Sequence, residues 1–125
     1  MEPVRTIDDL EKRGFDVEDG IAMCAGDEEI YVEVLDAALE EGREKLPLIR
    51  ECYERKDYER YGIEMHGLKN AMKSIGATEL SEAAKGQEFA VKENNLQLID
   101  ERVEDILAQY QSVVDTLEEL MANLA

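Results

Sequence analysis

Histidine occurs once in the 125 residues, cysteine twice and proline twice, and 14 Lys and Arg stand against 31 Asp and Glu. Each shortage excludes something. One histidine and two cysteines, His66, Cys24 and Cys52, follow no common zinc spacing, so no metal site is expected. The chain has no apolar run long enough to span a membrane and no charged-then-apolar leader at its start. Its cysteines therefore read as reduced thiols of a cytoplasmic protein. The deficit of basic residues leaves a formal net charge of −17. A field of that sign repels phosphate backbones and anionic lipid, which argues against nucleic acid and membrane as partners. Basic patches or small proteins are the expected partners, although acidity also serves plain solubility. What the chain does have is 44% apolar residues, enough for a core, and the length of one domain over residues 1–125.

No stretch alternates as a strand would, and the predicted class is all-α. A short amphipathic piece from Thr6 to Arg13, with Thr6 and Asp9 spaced as a capping box and Gly14 as a stop, presents Val4, Ile7 and Leu10 as a cover. Residues 1–26 make up this N-terminal segment and its turns. Asp27 is an N-cap, followed by Glu28 and Glu29. Ile30, Tyr31, Val34, Leu35, Ala38, Leu39, Leu46, Ile49 and Tyr53 then fit one long helix, in which Pro47 predicts a kink or break near Arg43 to Leu46. Asp57 caps the next helix, Tyr58 to Ile75, and Gly76 closes it. Thr78 is the expected cap of a helix running to Lys92, with Leu80, Ala83, Ala84, Glu88 and Val91 inward and Gly86 weakening its middle. After the Asn94-Asn95 turn, Leu96, Ile99, Val103, Ile106, Tyr110, Val113, Leu117, Leu120 and Leu124 form an unbroken heptad seam. At about 1.5 Å per residue it reaches roughly 42 Å, so its end is expected to project beyond its neighbours. Four long helices joined by short turns favour an antiparallel up-down four-helix bundle over residues 27–125, under a short N-terminal covering helix. A coiled-coil dimer built on the seam is the rival arrangement.

The single histidine sits on the wrong side of its helix for packing. At a helical period, Met65, Leu68, Ala71, Met72 and Ile75 share one side, whereas His66, Lys69, Asn70 and Lys73 share the other. A lone surface histidine is most often a solvated side chain without a task. Metal ligation lacks partners, and a hydrolase triad lacks a nucleophile on a strand-to-helix turn. What remains for an exposed imidazole on a rigid helix is nucleophilic attack on a phosphoryl group brought by another protein, with lysines offsetting the arriving charge. The residues alone leave Glu88 either level with His66, as an antiparallel neighbour allows, or an ordinary solvated acid.

His66-x-Leu68-Lys69, then Ile75-Gly76-Ala77 and Leu80-Ser81-Glu82-x-Ala84, resembles the histidine-containing phosphotransfer (HPt) domains of two-component phosphorelays. Upstream, Val17-Glu18-Asp19-Gly20, Gly26-Asp27-Glu28-Glu29-Ile30-Tyr31 and Asp57 extend the likeness over most of the chain. The resemblance implies a phosphoprotein that accepts a phosphoryl group on His66 from a receiver-domain aspartate and passes it to another receiver. It has no independent enzymatic turnover. Lys69 would steady the phosphoryl oxygens, and Glu88 would orient the ring. Ile63, Gly67, Asn70 and Lys73 would meet the receiver. The chain would need no cofactor of its own, since the receiver brings magnesium. Its partners would be response-regulator receiver domains and a hybrid histidine kinase, and it would work as a monomer. Two positions depart from the pattern. Asn70 stands where many members have glycine, with Gly67 lying instead beside the histidine, and Gln87 replaces a leucine at some expected loss of core packing. The placement of Met1 and Leu124 against the end helices favours a free-standing protein. A non-catalytic helical bundle that binds a receiver or another signalling protein without taking phosphate is the alternative function.

Overall fold

The structure, a computed structural model, describes residues 2–125. The described residues form a 3-10 helix, Ile7–Arg13, and five α-helices. These are α1 (Val17–Met23), α2 (Glu28–Glu54), α3 (Tyr58–Ser74), α4 (Thr78–Lys92) and α5 (Leu96–Leu124). There is no strand among the described residues.

The helix starts follow from local chemistry. Asp27 accepts from the N–H groups of Glu29 and Ile30 at 2.9 and 3.2 Å, Asp57 from Arg60 at 3.1 Å, and Asn95 from Leu98 at 3.2 Å. Each satisfies donors that the first turn leaves open. At the N-terminal piece, the Asp9 carboxylate accepts from the backbone of Arg5 and Thr6 at 2.9 and 3.1 Å. The start of α4 is different. Ala77 occupies the cap position without a side-chain bond, and Thr78 is already helical, its hydroxyl 3.4 Å from the Gly76 carbonyl. Burial of Ile75 and Ala77 fixes that tight turn and leaves Thr78 no room to step back.

Pro47 does not break α2, which runs through it as one helix. The proline costs the Arg43 carbonyl its partner, but contacts on both sides hold the helix to α5. A Cβ at Gly42 would lie 2.6 Å from Val114 Cγ2 and 3.2 Å from a Tyr110 ring carbon, so the two backbones pass closely there. Ile49 and Cys52 are buried on the far side of the proline.

Contacts across helices run in opposite chain directions. Between α2 and α5 the pairs are Arg43 with Glu118, Arg50 with Glu104 and Tyr53 with Asp100. Between α3 and α4 they include Gly62 with Val91, His66 with Glu88, and the Lys69 carbonyl with Ser81. The core is continuous from Val4 and Leu10 through Tyr31, Leu35, Tyr61, Met65 and Leu80 to Ile106, Leu117 and Leu120.

The α5 seam is buried inside the chain's own core, against α2 and α4, which occupies the face a coiled-coil partner would need. It is also wider than a heptad stripe. Leu107, Val114 and Thr116 are buried, Val113 is only partly so, and the two ends, Leu96 and Leu124, are exposed. A helix wedged between two neighbours buries a broader face than a two-stranded seam. Likewise Ile30, expected inward on α2, is exposed in the first turn. Nor does the end of α5 project bare. Val4 N–H donates to Glu119 at 3.0 Å, Asn123 donates to the Val4 carbonyl at 2.9 Å, and Arg13 reaches Glu119 at 2.9 Å and Thr116 at 3.1 Å. The N-terminal piece covers those turns, and its fully buried Val4 and Leu10 join the same core as Leu117 and Leu120.

Candidate functional site: the His66 face of α3 and α4

Two glycine positions and a buried tyrosine set where α3 begins and ends. At Gly62 a Cβ would lie 2.9 Å from Val91 Cγ1, so α4 packs close beside the residue one turn before His66. At Gly76, φ is +82° and a Cβ would collide with the Asp16 carbonyl, a position only glycine fills without strain. Asp16 N–H donates to the Gly76 carbonyl at 2.8 Å, and Tyr31 OH donates to the Ile75 carbonyl at 2.8 Å. The turn after the histidine helix is thus clamped by the N-terminal segment and α2.

On this frame His66 stands with its side chain 57% exposed while its Nδ1 lies 2.7 Å from Glu88 Oε2. Glu88 is buried and accepts from Lys69 Nζ at 2.7 Å through its other oxygen, with Lys92 Nζ 3.6 Å away. The Lys69 bond, then the His66 bond and the two lysine charges, outweigh burial and bring the Glu88 carboxyl down to about 2. At neutral pH it is ionised and can only accept. In the neutral imidazole the Nδ1 of His66 therefore carries the proton, and the lone pair is on Nε2.

Of the residues singled out in the sequence, His66, Lys69, Glu88 and Asn70 come together. Asn70 Nδ2 lies 3.3 Å from His66 Nε2. Ile63 is 58% exposed and lines, with Gly62, Val91 and Lys92, a groove of about 310 Å³ that runs up to His66 and Glu88. Gly67 is exposed with nothing near it, and Lys73 is exposed a further turn along. From Met65 to Thr78 the chain has no Asp or Glu, so this face is the relief in an otherwise acidic surface.

Three contributors went unrecognised in the sequence. Glu64, which shares the helix side of Leu68, Ala71 and Ile75, is buried and pairs with Lys45 of α2 at 2.7 Å and Arg60 at 3.4 Å. Its helical spacing with Leu68, Ala71 and Ile75 and the i,i+4 spacing of Arg60 were the signals that could have found it. Ser81 OH donates to the Lys69 carbonyl at 2.8 Å and ties α4 to the histidine helix. Gln87, read as a loss of packing, is fully buried and satisfied. It accepts from Tyr61 OH at 2.6 Å and donates to the Leu98 carbonyl at 3.3 Å, so the amide replaces apolar packing with a bonded link.

Among the described residues, no helix is long and apolar enough to cross a membrane. Comparison with curated proteins and with solved structures finds no significant match. The family model described as Hpt domain matches residues 33–125, and with three-quarters of its length covered the chain belongs to the Hpt family, whose members serve histidine phosphotransfer in phosphorelays.

Proposed function

We propose that this chain is a phosphorelay intermediate that takes a phosphoryl group on His66 Nε2 from the aspartate of one response-regulator receiver domain and gives it to another. The observation that carries the reading is an imidazole more than half exposed whose inner nitrogen is bound to a buried, ionised carboxylate at 2.7 Å. In the neutral ring that contact keeps the proton on Nδ1 and leaves Nε2 as the nucleophile, with no base needed to free its lone pair. Attack places positive charge on the ring, and Glu88, 2.7 Å from Nδ1, offsets it. Lys69 uses one ammonium proton on Glu88 and keeps two for phosphoryl oxygens.

In this reading the receiver brings the aspartate and magnesium, and the bundle brings a positioned nucleophile and no cofactor of its own. Ile63, Gly67, Asn70 and Lys73 form the dock. The chain acts as one unit over 1–125, with residues 1–26 covering an antiparallel up-down four-helix bundle over 27–125. It works as a cytoplasmic monomer, fed by a hybrid histidine kinase, and has no turnover of its own.

Mixing the protein with a phosphorylated receiver should place acid-labile label on it, and His66→Gln should abolish that label. Equal labelling of the variant would sink the reading. One observation favours a second reading, a bundle that binds a receiver without accepting phosphate: Asn70 already faces the nucleophilic nitrogen. Receiver binding by the wild type with no label at all would select it.

A further inference from the structure

The nitrogen that would attack phosphorus already has a hydrogen-bond neighbour. With the Nδ1 proton directed to Glu88 at 2.7 Å, Nε2 offers only a lone pair, so the Asn70 group 3.3 Å from it is the amide N–H and not the carbonyl. Both side chains are exposed and sit one turn apart on α3, and no other helix takes part in the contact. At 3.3 Å it is longer than the usual N–H bond and costs little to release.

We infer that Asn70 is a donor with two successive acceptors: at rest it caps the Nε2 lone pair, and after transfer it holds a phosphoryl oxygen and stabilises phosphohistidine. This inference rests on His66 being the phosphoacceptor. In the transfer step the Nε2 lone pair forms the N–P bond. The acyl O–P bond of the aspartyl phosphate breaks, its electron pair leaves on the carboxylate, and no proton moves. Nε2 then has no lone pair, and the Asn70 amide loses its first acceptor. Anionic oxygens on the new phosphorus replace it within the same helical turn. A bond to an anionic oxygen is stronger than a long one to a neutral ring nitrogen, so the exchange of acceptors favours the phosphorylated state. Asn70 adds to what Lys69 offers the phosphoryl oxygens, because its amide is the donor already beside Nε2. Lys69 and Lys92 both face Glu88, and Lys73 lies a further turn along the helix. Asn70 thus biases the relay toward storage on histidine and slows loss of phosphate to water.

The test uses the full chain and a small donor, phosphoramidate, with wild type, Asn70→Ala and Asn70→Asp compared by phosphorus-31 NMR after labelling. The alanine variant should lose its phosphohistidine signal roughly three to ten times faster, the size of one hydrogen bond. The aspartate variant, equal in shape but without the donor and with a negative charge, should lose it faster still. In the unlabelled proteins, nitrogen-15 spectra should show the Nε2 resonance move on substitution while Nδ1, held by Glu88, stays in place. Label on His66 with equal lifetimes in wild type and Asn70→Ala, or an unmoved Nε2 resonance, overturns this inference and leaves the phosphoacceptor reading standing. Failure of the wild type to take label on His66 overturns both.

Discussion

The two long helices α2 and α5 and the two shorter ones α3 and α4 hold together by different means. Between α2 and α5 the interior is apolar, with Leu35, Leu39, Ile49, Ile106, Leu117 and Leu120 all buried, and the polar pairs lie at the surface. Exposed pairs such as Arg50 with Glu104 add little stability. Between α3 and α4 the polar contacts are inside: Tyr61 with Gln87, Ser81 with the Lys69 carbonyl, and Glu88 with His66 and Lys69. Buried polar bonds add little net stability when made but cost much when half broken, so they specify register and orientation. The long pair serves as scaffold, and the short pair aims side chains.

The largest expected effect breaks the scaffold without touching the site. Ile106→Ala removes a fully buried side chain of α5 and should cost about 2–5 kcal/mol in denaturant unfolding. In the fraction still folded, phosphoramidate labelling of His66 should proceed at the wild-type rate. A large drop in that rate would show that α5 packing aims the histidine as well. A middle-sized effect belongs to Tyr61→Phe. It removes the hydroxyl that Gln87 accepts from at 2.6 Å and leaves a buried acceptor without a donor, at about 1–3 kcal/mol. Because Gln87 immediately precedes Glu88, transfer from a receiver should slow as well, and an unchanged rate would confine this bond to stability.

The smallest effect on stability, and the sharpest on the site, concerns Glu88. Its carboxyl lies well below the ordinary value of 4.5, at about 2. A lowered folded-state value means the stabilisation is fully present above pH 4.5 and is lost as pH falls toward 2. The stability gap between wild type and Glu88→Gln should therefore be largest at neutral pH and shrink across that window, as followed by urea unfolding at a series of pH values. A gap that stays constant down to pH 2 would mean that the carboxylate's charge contributes nothing. The same variant should loosen the preference for a proton on Nδ1, visible as a changed tautomer ratio in nitrogen-15 spectra of His66.

Much of the frame was legible in the residues. Asp27 and Asp57 announced their helix starts because a capping bond reaches only two or three residues and needs no distant partner, and the Asn94-Asn95 turn marked the last one. The α5 stripe and the polar-face placement of His66 were equally local, set by the angle between successive side chains. Where prediction failed, a distant contact had intervened. Of the kink or break expected at Pro47, the break does not occur because α5 holds both sides of the helix, and Thr78 is not a cap because Ile75 and Ala77 are pulled into the core. The last turns of the seam before exposed Leu124 are covered because Val4 and Arg13 return to Glu119 from the opposite end of the chain.

The sequence by itself therefore determined the helices, the caps at Asp27 and Asp57, and the one histidine that faces away from packing. Only the tertiary structure decided what that histidine meets. Glu88 lies 22 positions away and reaches Nδ1 because α4 packs beside α3 in one particular register, set by Gly62 against Val91 and Ser81 against the Lys69 carbonyl. Asn70 is local, one turn from His66, yet its role also waited on that register. Its amide has a lone pair to face only because Glu88 draws the ring's proton to the opposite nitrogen.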